Sequence, residues 1–344
     1  MPALTDSANK PRVAAEIQKM LDAGHLRPGY VNSGLFDQWS KTSCGDNLVD
    51  YWHTPGDTLL PLLRALPYLP VDMQPKVKAY LQSEFQNYPA YQFNHIGWKT
   101  GAPREVFDLP PEIETNLGNF PAQSLSQSFD GWKYAPQQFY AMWKYAEVFG
   151  NAEGIFDAAK DRLNNPPSDA WLADMPHIHN AYIAGYWGYL ELQKLAGYPE
   201  DPQVRSQLNH LLTLRANSFS DYTPESYFAD KTRRYCRGMN VARNFMYLTP
   251  ELADYLQANA LPKVQTAITE YERVAPYWFV SQFEGAFGEG VITPLYDYQA
   301  LFQAKALILD EPRSQLEKYL DVPAVAVGDL FYIDNMVTLL QAGH

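Results

Sequence analysis

Two stretches share one pattern and decide the fold class: residues 140–151, YAMWKYAEVFGN, and residues 186–201, YWGYLELQKLAGYPED. Each has an aromatic-rich body with helical spacing and stops at a glycine, Gly150 in one and Gly197 in the other. The two glycines are 47 residues apart, about one helix pair with its connections. A fainter echo, LFQAKALILDEP at 301–312, lacks the glycine. Repeats of this period are typical of stacked helical hairpins.

Helical spacing continues along most of the chain. In 72–88 the apolar residues fall four, four and three positions apart, as on one face of a helix. In 11–24, Pro11 and Gly24 occupy the positions expected for a helix start and stop. The predicted helices are 11–24, 72–88, 135–149, 169–196, 201–217, 261–279, 293–309 and 328–341. Because alternating strand-like stretches are scarce, we predict an all-α fold.

We predict one domain over residues 1–344, arranged as a closed ring of helical hairpins, an (α/α) toroid. An open solenoid fits the period equally well, but solenoid repeats are usually more legible than these. Residues 89–134 contain five prolines and no sustained helical spacing. A segment of this length without regular structure is typical of a functional loop.

Composition excludes several function classes. The 344 residues include 27 Lys and Arg against 39 Asp and Glu, a net charge of -12. Binding to nucleic acid or to an anionic membrane surface needs a basic face, so we expect neither as a partner. No apolar run approaches the roughly 18 residues of a transmembrane helix. Cys44 and Cys236 are too few for a disulfide scaffold.

Aromatic residues make up 14% of the chain, including 24 tyrosines. We expect many of these rings to lie half-exposed along a groove, where their apolar faces stack on sugars. The alternative is that tyrosine serves mainly in contacts between helices. Trp98, Trp132 and Trp278 are candidate stacking platforms, and each could equally belong to the core.

The first candidate site lies in the irregular segment, where residues 93–98 read FNHIGW. Asn94 supplies an amide donor, His95 an imidazole that exchanges protons near neutral pH, and Trp98 a platform for a sugar ring. A single histidine is most often a packing residue. An Asn-His pair in an aromatic loop rich in proline and glycine favours a functional role.

The second candidate site is PHIHN, residues 176–180, at the start of a predicted helix. We expect at least one of His177 and His179 to line the site, with Asn180 beside them. A His-x-His pair also suggests a metal. No cysteine cluster, HExxH motif or ring of carboxylates accompanies the pair in the sequence, so we predict no metal site; a divalent cation that bridges substrate carboxylates stays open as the alternative.

The third candidate site is basic: residues 231–243 read KTRRYCRGMNVAR, with five cations in an otherwise acidic chain. One interpretation is a solvated surface that pairs with nearby acids. The functional interpretation is an anion subsite, because arginine binds carboxylates through two parallel hydrogen bonds. Arg237 and Arg243 would then hold the anion, with Asn240 and Asn244 as amide donors.

The fourth candidate site, 279–302, reads FVSQFEGAFGEGVITPLYDYQALF. Its glycine-rich turn carries Glu284 and Glu289, and Tyr298 follows on a predicted helix. Glycine allows a backbone to approach a ligand closely. The two glutamates could be paired carboxylates for glycoside hydrolysis, or Tyr298 could carry a proton.

Together these residue types fit chemistry on a uronic acid. Eliminating a 4-linked uronate requires removal of the weakly acidic C5 proton. The enzyme must neutralise the C6 carboxylate so that the developing enolate is stabilised, which amide, imidazole and guanidinium groups can do. A base then takes the C5 proton, and an acid protonates the O4 leaving group.

At this point the sequence resembles the helical-toroid polysaccharide lyases, in particular those of alginate and glucuronan type. The residues that carry the resemblance are Asn94-His95, HIHN at 177–180, Arg237 or Arg243, and Tyr298. The alginate-lyase pattern NNHxYW is not reproduced, since FNHIGW lacks its first Asn and its Tyr. The resemblance implies β-elimination of an anionic polysaccharide, with no organic cofactor.

The resemblance also implies roles for these residues. Tyr298 is the expected acid, or acid and base together, and His95 is the alternative base. Asn94, one of His95 and His179, and Arg243 or Arg237 hold the carboxylate. The remaining candidates for substrate binding are Asn180, Asn240, His177, Trp98 and Glu284.

Two alternatives to a lyase stay open. An inverting glycoside hydrolase on the same toroid would use two carboxylates flanking the cleft, chosen from Asp46, Asp50, Glu284 and Glu289. A non-catalytic glycan-binding protein would lose only affinity when Tyr298 or His95 is replaced.

The expected location follows from the substrate. No signal peptide is visible in the first residues, MPALTDSANKPRV. A polymer of this kind does not enter cells, so we expect a secreted or periplasmic protein whose signal has been removed. The expectation becomes cytoplasmic if Met1 is the native start.

Overall fold

The computed structural model describes residues 6–28, 55–92, 136–174, 176–219, 244–245, 247–274, 301–317 and 330–342. Helix accounts for 78% of these residues, and none of them forms a strand. The predicted all-α class is therefore confirmed for the described part of the chain. No helix within it has the length and apolar character needed to cross a membrane.

The described residues form twelve α-helices. They are α1 (Asp6–Asp22), α2 (Pro55–Ala65), α3 (Gln74–Asn87), α4 (Gln138–Phe149), α5 (Ala152–Ala159), α6 (Asp169–Asp174), α7 (Pro176–Leu195), α8 (Pro202–Asn217), α9 (Pro250–Val274), α10 (residues 301–307), α11 (Arg313–Leu316) and α12 (Leu330–Gln341). Short 3-10 turns lie at Leu66–Tyr68, Ala90–Gln92 and Lys160–Arg162. Buried apolar residues from Val13 to Leu340 form one cluster, with a core that helices along the whole chain share.

Prolines caused the main differences between the predicted and observed helices. Helix α1 begins at Asp6, so Pro11 lies inside it and not at its start. Helix α9 begins at Pro250, earlier than the predicted residue 261, and contains Pro262. Helix α2 was not predicted, because its sequence PGDTLLPLLRA contains two prolines. Its apolar residues Leu59, Leu62 and Leu63 are nevertheless buried in the core.

The predicted helix ends at Gly150 and Gly197 are confirmed. Gly150 has φ 77° and Gly197 has φ 81°, the left-handed conformation that glycine adopts without steric cost. After each glycine the chain forms the second helix of a hairpin, α4 with α5 and α7 with α8. In the fainter echo at 301–312, Asp310 takes this conformation with φ 51°. Aspartate tolerates it better than most residues, so the third stretch ends its helix in the same way without a glycine.

Helices α4 and α7 pack side by side in parallel, and two glycines of α7 allow them to approach closely. A Cβ atom at Gly185 would lie 2.5 Å from the carbonyl oxygen of Pro136, and one at Gly188 would overlap the backbone nitrogen of Tyr140. Both contacts run in the same chain direction, which fixes the parallel orientation. On the other side of α4, Gln138 accepts a hydrogen bond from the backbone nitrogen of Gly56 at the start of α2.

Helix α2 is held to α12 by one arginine. Arg64 donates to Asp334 at 2.5 Å, to Thr338 at 3.0 Å and to Gln341 at 2.6 Å, so it spans three successive positions on one face of α12. The last turns of both helices therefore lie together. The helices α12, α2, α4 and α7 form a row of neighbours that run in the same direction.

Most of the described aromatic rings belong to this packing. The tyrosines buried between helices are Tyr80, Tyr140, Tyr145, Tyr182, Tyr186 and Tyr189. Phe85 stacks on Tyr145 with ring centroids 4.0 Å apart, and Phe139 meets Tyr189 edge-on at 5.3 Å. Within the described residues, tyrosine serves mainly in helix contacts, the alternative to a groove.

The close contact between α4 and α7 predicts the effect of adding one methyl group. Replacing Gly188 by alanine should lower the free energy of unfolding by about 1–3 kcal/mol, because the new Cβ meets backbone that cannot move aside. Urea unfolding followed by circular dichroism measures the change.

A matched control lies on the exposed face of helix α5. The Cβ of Gly154→Ala would meet only the flexible side chain of Asn151. Alanine is the better helix residue, so this variant should be unchanged or slightly more stable. Equal losses in the two variants would contradict the close parallel packing.

Candidate functional site

Most of the predicted site residues lie outside the described residues. These are Asn94, His95, Trp98, Arg237, Asn240, Arg243, Glu284 and Tyr298. The same holds for Asp46, Asp50, Glu289, Trp132, Trp278 and the two cysteines. The structure describes the backbone of His177 within α7 but not its side chain. Three candidates are described in full: His179, Asn180 and Asn244.

The structure brings Asn180 and Asn244 together around Arg215. Arg215 lies near the end of α8, and its Nε donates to Asn180 Oδ1 at 2.8 Å. Its Nη2 donates to the backbone carbonyl of Asn244 at 2.9 Å and to Asn244 Oδ1 at 2.8 Å. Asn180 Nδ2 donates to the same carbonyl at 2.9 Å. We call these three residues the Arg215 cluster.

Arg215 is a positive charge in the protein interior. Its side chain is 0% exposed, and the structure pairs it with no carboxylate among the described residues. Burial lowers the pKa of Arg215 to about 9, so the guanidinium remains a cation at neutral pH. Its charge is compensated by neutral oxygens and by the ring of Phe219, whose centroid lies 4.3 Å from Cζ. The Nη1 atom has no hydrogen-bond partner within the described part of the chain.

His179 lies in the interior beside this cluster. Its side chain is 0% exposed, and Nε2 lies 2.9 Å from the backbone carbonyl of Leu211. A carbonyl only accepts, so Nε2 must carry the proton, and Nδ1 is the bare nitrogen. Burial, and then the positive charge of Arg215, lower the pKa of His179 to about 3. The imidazole is therefore neutral at any ordinary pH.

In the described structure, the PHIHN stretch (residues 176–180) contributes His179 and Asn180 to the protein interior. Every described contact of His179 and Asn180 is with protein, and neither side chain reaches the surface. Asn180 joins the first turns of α7 to the segment that begins at Asn244. His177 and Arg243, two other candidates, stand next to this junction in the sequence.

Sequence reasoning missed Arg215. It stands in the last turn of a predicted helix, where a basic residue ordinarily interacts with the helix dipole at the surface. Its partners are 35 and 29 residues away along the chain. No local pattern signals that packing, although Asn180 is a candidate for substrate binding and Asn244 a candidate amide donor in the sequence analysis.

A small cavity of about 60 Å³, with a mostly apolar wall and a few polar side chains, lies between the parallel helices. Gln137 borders it, and both amide atoms of Gln137 are buried without a hydrogen-bond partner in the described structure. A cavity of this size has room for several waters, which would satisfy that amide. The residues that border the cavity are Leu60, Pro61, Arg64, Gln137, Tyr140, Ala141, Ala184, Tyr247, Leu248, Thr249, Gln303 and Asp334.

A larger polar cleft of about 600 Å³ opens beside that cavity, where α2, α10 and α12 end. Arg64 and Tyr140 border both spaces. Tyr140 donates its hydroxyl to Glu251 at 2.9 Å, and burial together with this carboxylate raises the pKa of Tyr140 well above its usual value. Asp254 and Lys144 also line the cleft. We call this space the polar cleft.

The described residues contain no cluster of three or more histidine, cysteine, aspartate or glutamate side chains that could hold a metal ion. Comparison with known proteins found no match to the chain among protein-family models, curated protein sequences or solved structures.

The depressed pKa of His179 predicts a loss of stability in acid. The pKa is about 3 when folded and 6.5 ordinarily, so between these values the unfolded chain binds one more proton. The contribution is fully present above pH 6.5 and is lost progressively as pH falls towards 3, at no more than about 1.4 kcal/mol per pH unit. Urea unfolding at pH 7.5 and 4.5 should show a loss of about 2–3 kcal/mol from this residue.

The variant His179→Gln keeps a donor for the Leu211 carbonyl and cannot titrate, so this part of the pH dependence should vanish. His210 is the matched control, because it is exposed and pairs with Asp169. The change His210→Gln should leave the difference between the two pH values nearly intact. An unaltered pH dependence in His179→Gln would show that the imidazole is not buried in its neutral form.

Proposed function

We propose that the chain is a polysaccharide lyase that cleaves a 4-linked uronic-acid polymer, of glucuronan or alginate type, by β-elimination. Its helices would form an (α/α) toroid, and the polymer would bind where the parallel helices begin. The proposal rests on the residue types found in the sequence, on a cavity that several described helices border, and on the common direction of those helices.

The observation that carries the proposal is the convergence of the chain on the small cavity. Six parts of the chain, separated by other helices, border it: α2, α4, α7, residues 247–249, α10 and α12. Helices that follow one another in a ring all face the same axis, whereas helices in an open solenoid contact only their neighbours. A common cavity bordered by early, middle and late parts of the chain supports a ring.

The direction of the helices supports a single site at one end. Helices α2, α4, α7 and α12 run in parallel, and α10 joins them because Gln303 near its start bonds Asp334 near the start of α12 at 2.6 Å. Three of the sequence candidates adjoin these helix starts in the sequence or through Asn244. His177 lies in the first turn of α7, Tyr298 precedes α10 by three residues, and Arg243 adjoins Asn244, whose backbone carbonyl accepts a hydrogen bond from Asn180 of α7.

In the proposed reaction, Asn94 and His95 with Arg243 or Arg237 hold the C6 carboxylate of the uronate and stabilise charge that develops on it. Tyr298 removes the C5 proton, protonates the O4 leaving group, or does both. His95 is the alternative base. The bond from C4 to O4 breaks as the double bond between C4 and C5 forms, so the products are a new reducing end and an unsaturated uronide.

The unsaturated product absorbs ultraviolet light, which gives a direct test. The chain is incubated with polyglucuronate, polymannuronate and polyguluronate at several pH values, and absorbance and reducing ends are followed together. We expect both signals to rise in parallel on at least one polymer. Reducing ends without absorbance would instead indicate a hydrolase, and no change in either signal would contradict the proposal.

Replacement of Tyr298 tests the assigned proton carrier. The variant Tyr298→Phe should lower kcat by about 10²–10⁴-fold, the usual contribution of a positioned acid or base, with little change in stability. Tyr198 is the matched control, because its hydroxyl bonds only the exposed Asp157 and it lies on the connection after α7. The change Tyr198→Phe should leave kcat intact. Wild-type turnover by Tyr298→Phe would overturn the assignment.

A further inference from the structure

Burial of the Arg215 charge is unfavourable for the stability of the folded protein. Among the described residues no opposite charge lies beside Arg215, and a buried charge of this kind is costly; the loss of one of its hydrogen-bond acceptors would cost more. An apolar residue at the end of α8 would avoid both costs and would still fill the core. The cluster therefore needs an explanation beyond packing.

The geometry of the Arg215 cluster explains why a buried charge is present. The guanidinium is planar, and its Nε and Nη2 point to two different segments at 2.8–2.9 Å. One segment is the first turns of α7, through Asn180. The other is the chain at Asn244, through its carbonyl and its side chain. The bond between Asn180 and the Asn244 carbonyl closes the arrangement, so these two segments have a fixed position relative to each other.

Both segments adjoin predicted site residues. His177 is three residues before Asn180, and Arg243 is bonded directly to Asn244. We propose that Arg215 is a positioning residue: its fork holds the start of α7 and the chain at Asn244 in the one relative placement that aligns the carboxylate-binding groups of the lyase site. This inference rests on the proposed function. Arg215 itself is buried and does not touch substrate.

The test separates positioning from stability by comparing two variants of Arg215. Arg215→Met removes the charge and the guanidinium hydrogen bonds to both segments. Arg215→Lys keeps a charge, but its single ammonium group cannot bridge both segments. Each is assayed on a cleaved uronan at a temperature where circular dichroism shows it fully folded. We expect kcat to fall about 100-fold in both, with a smaller change in KM, because displaced catalytic groups lose reactivity more than they lose binding.

Arg205 provides the control variant. It stands on the same helix, and its guanidinium pairs with Glu200 in an exposed ion pair at 2.8 Å. The change Arg205→Met should leave kcat unchanged. Folded Arg215 variants with wild-type kcat would overturn the proposal and leave Arg215 with a role in stability alone.

The milder variant Asn244→Ala keeps the cation and removes one acceptor, which covers the case that Arg215 variants do not fold. We expect its kcat to fall about tenfold, and the double variant with Arg215→Lys to be little worse than Arg215→Lys alone, because the two residues act as one unit. Unchanged kcat in Asn244→Ala would count against positioning by the Arg215 guanidinium.

A measurement without substrate distinguishes this inference from the proposed function. In Arg215→Lys, or in Asn244→Ala, amide hydrogen exchange should become faster in both 177–181 and 244–249, with α4 unaffected. Faster exchange confined to α8 would overturn the positioning role. If the wild-type chain cleaves no uronan, the proposed function fails, and the exchange result still decides whether Arg215 couples the two segments.

Discussion

The close parallel contact of α4 with α7 is the constraint on which the described structure depends. Without side chains at Gly185 and Gly188, the two backbones meet directly, and both helices bring their starts to the same end of the molecule. The bond from Gly56 to Gln138 extends this alignment to α2, and Arg64 extends it to α12. With this shared direction, distant parts of the sequence border one cavity.

The same architecture separates two kinds of polar groups. At the end where the helices finish, the polar cleft is bordered by acidic and basic side chains, among them Arg64, Lys144, Glu251 and Asp254. Towards the start of α7, the Arg215 cluster places a charge in the interior without an ionised partner among the described residues. A low-dielectric interior makes such a charge sensitive to small displacements of its neighbours, so the cluster resists relative movement of α7 and the chain at Asn244.

Local signals in the sequence predicted much of the fold. Helical spacing and the stops at Gly150 and Gly197 were sufficient for the all-α class and for the two hairpins. Asp310 shows how the end of a third helix is missed by this reasoning, because it adopts a conformation usually marked by glycine. The roles of Asn180 and His179 depend on Arg215 and Leu211, which lie on another helix. Tertiary packing decides these roles, and the sequence near each residue does not encode them.

The central claim is that a uronan binds at the end where the parallel helices begin. Hydrogen–deuterium exchange of the Tyr298→Phe chain, with and without a uronate oligosaccharide, tests this claim most directly. The account predicts slower exchange in peptides from 93–100 and 231–243, and none in those that line the polar cleft. Slower exchange only at 60–64, 140–144 and 250–257, or no change at saturating oligosaccharide, would contradict it.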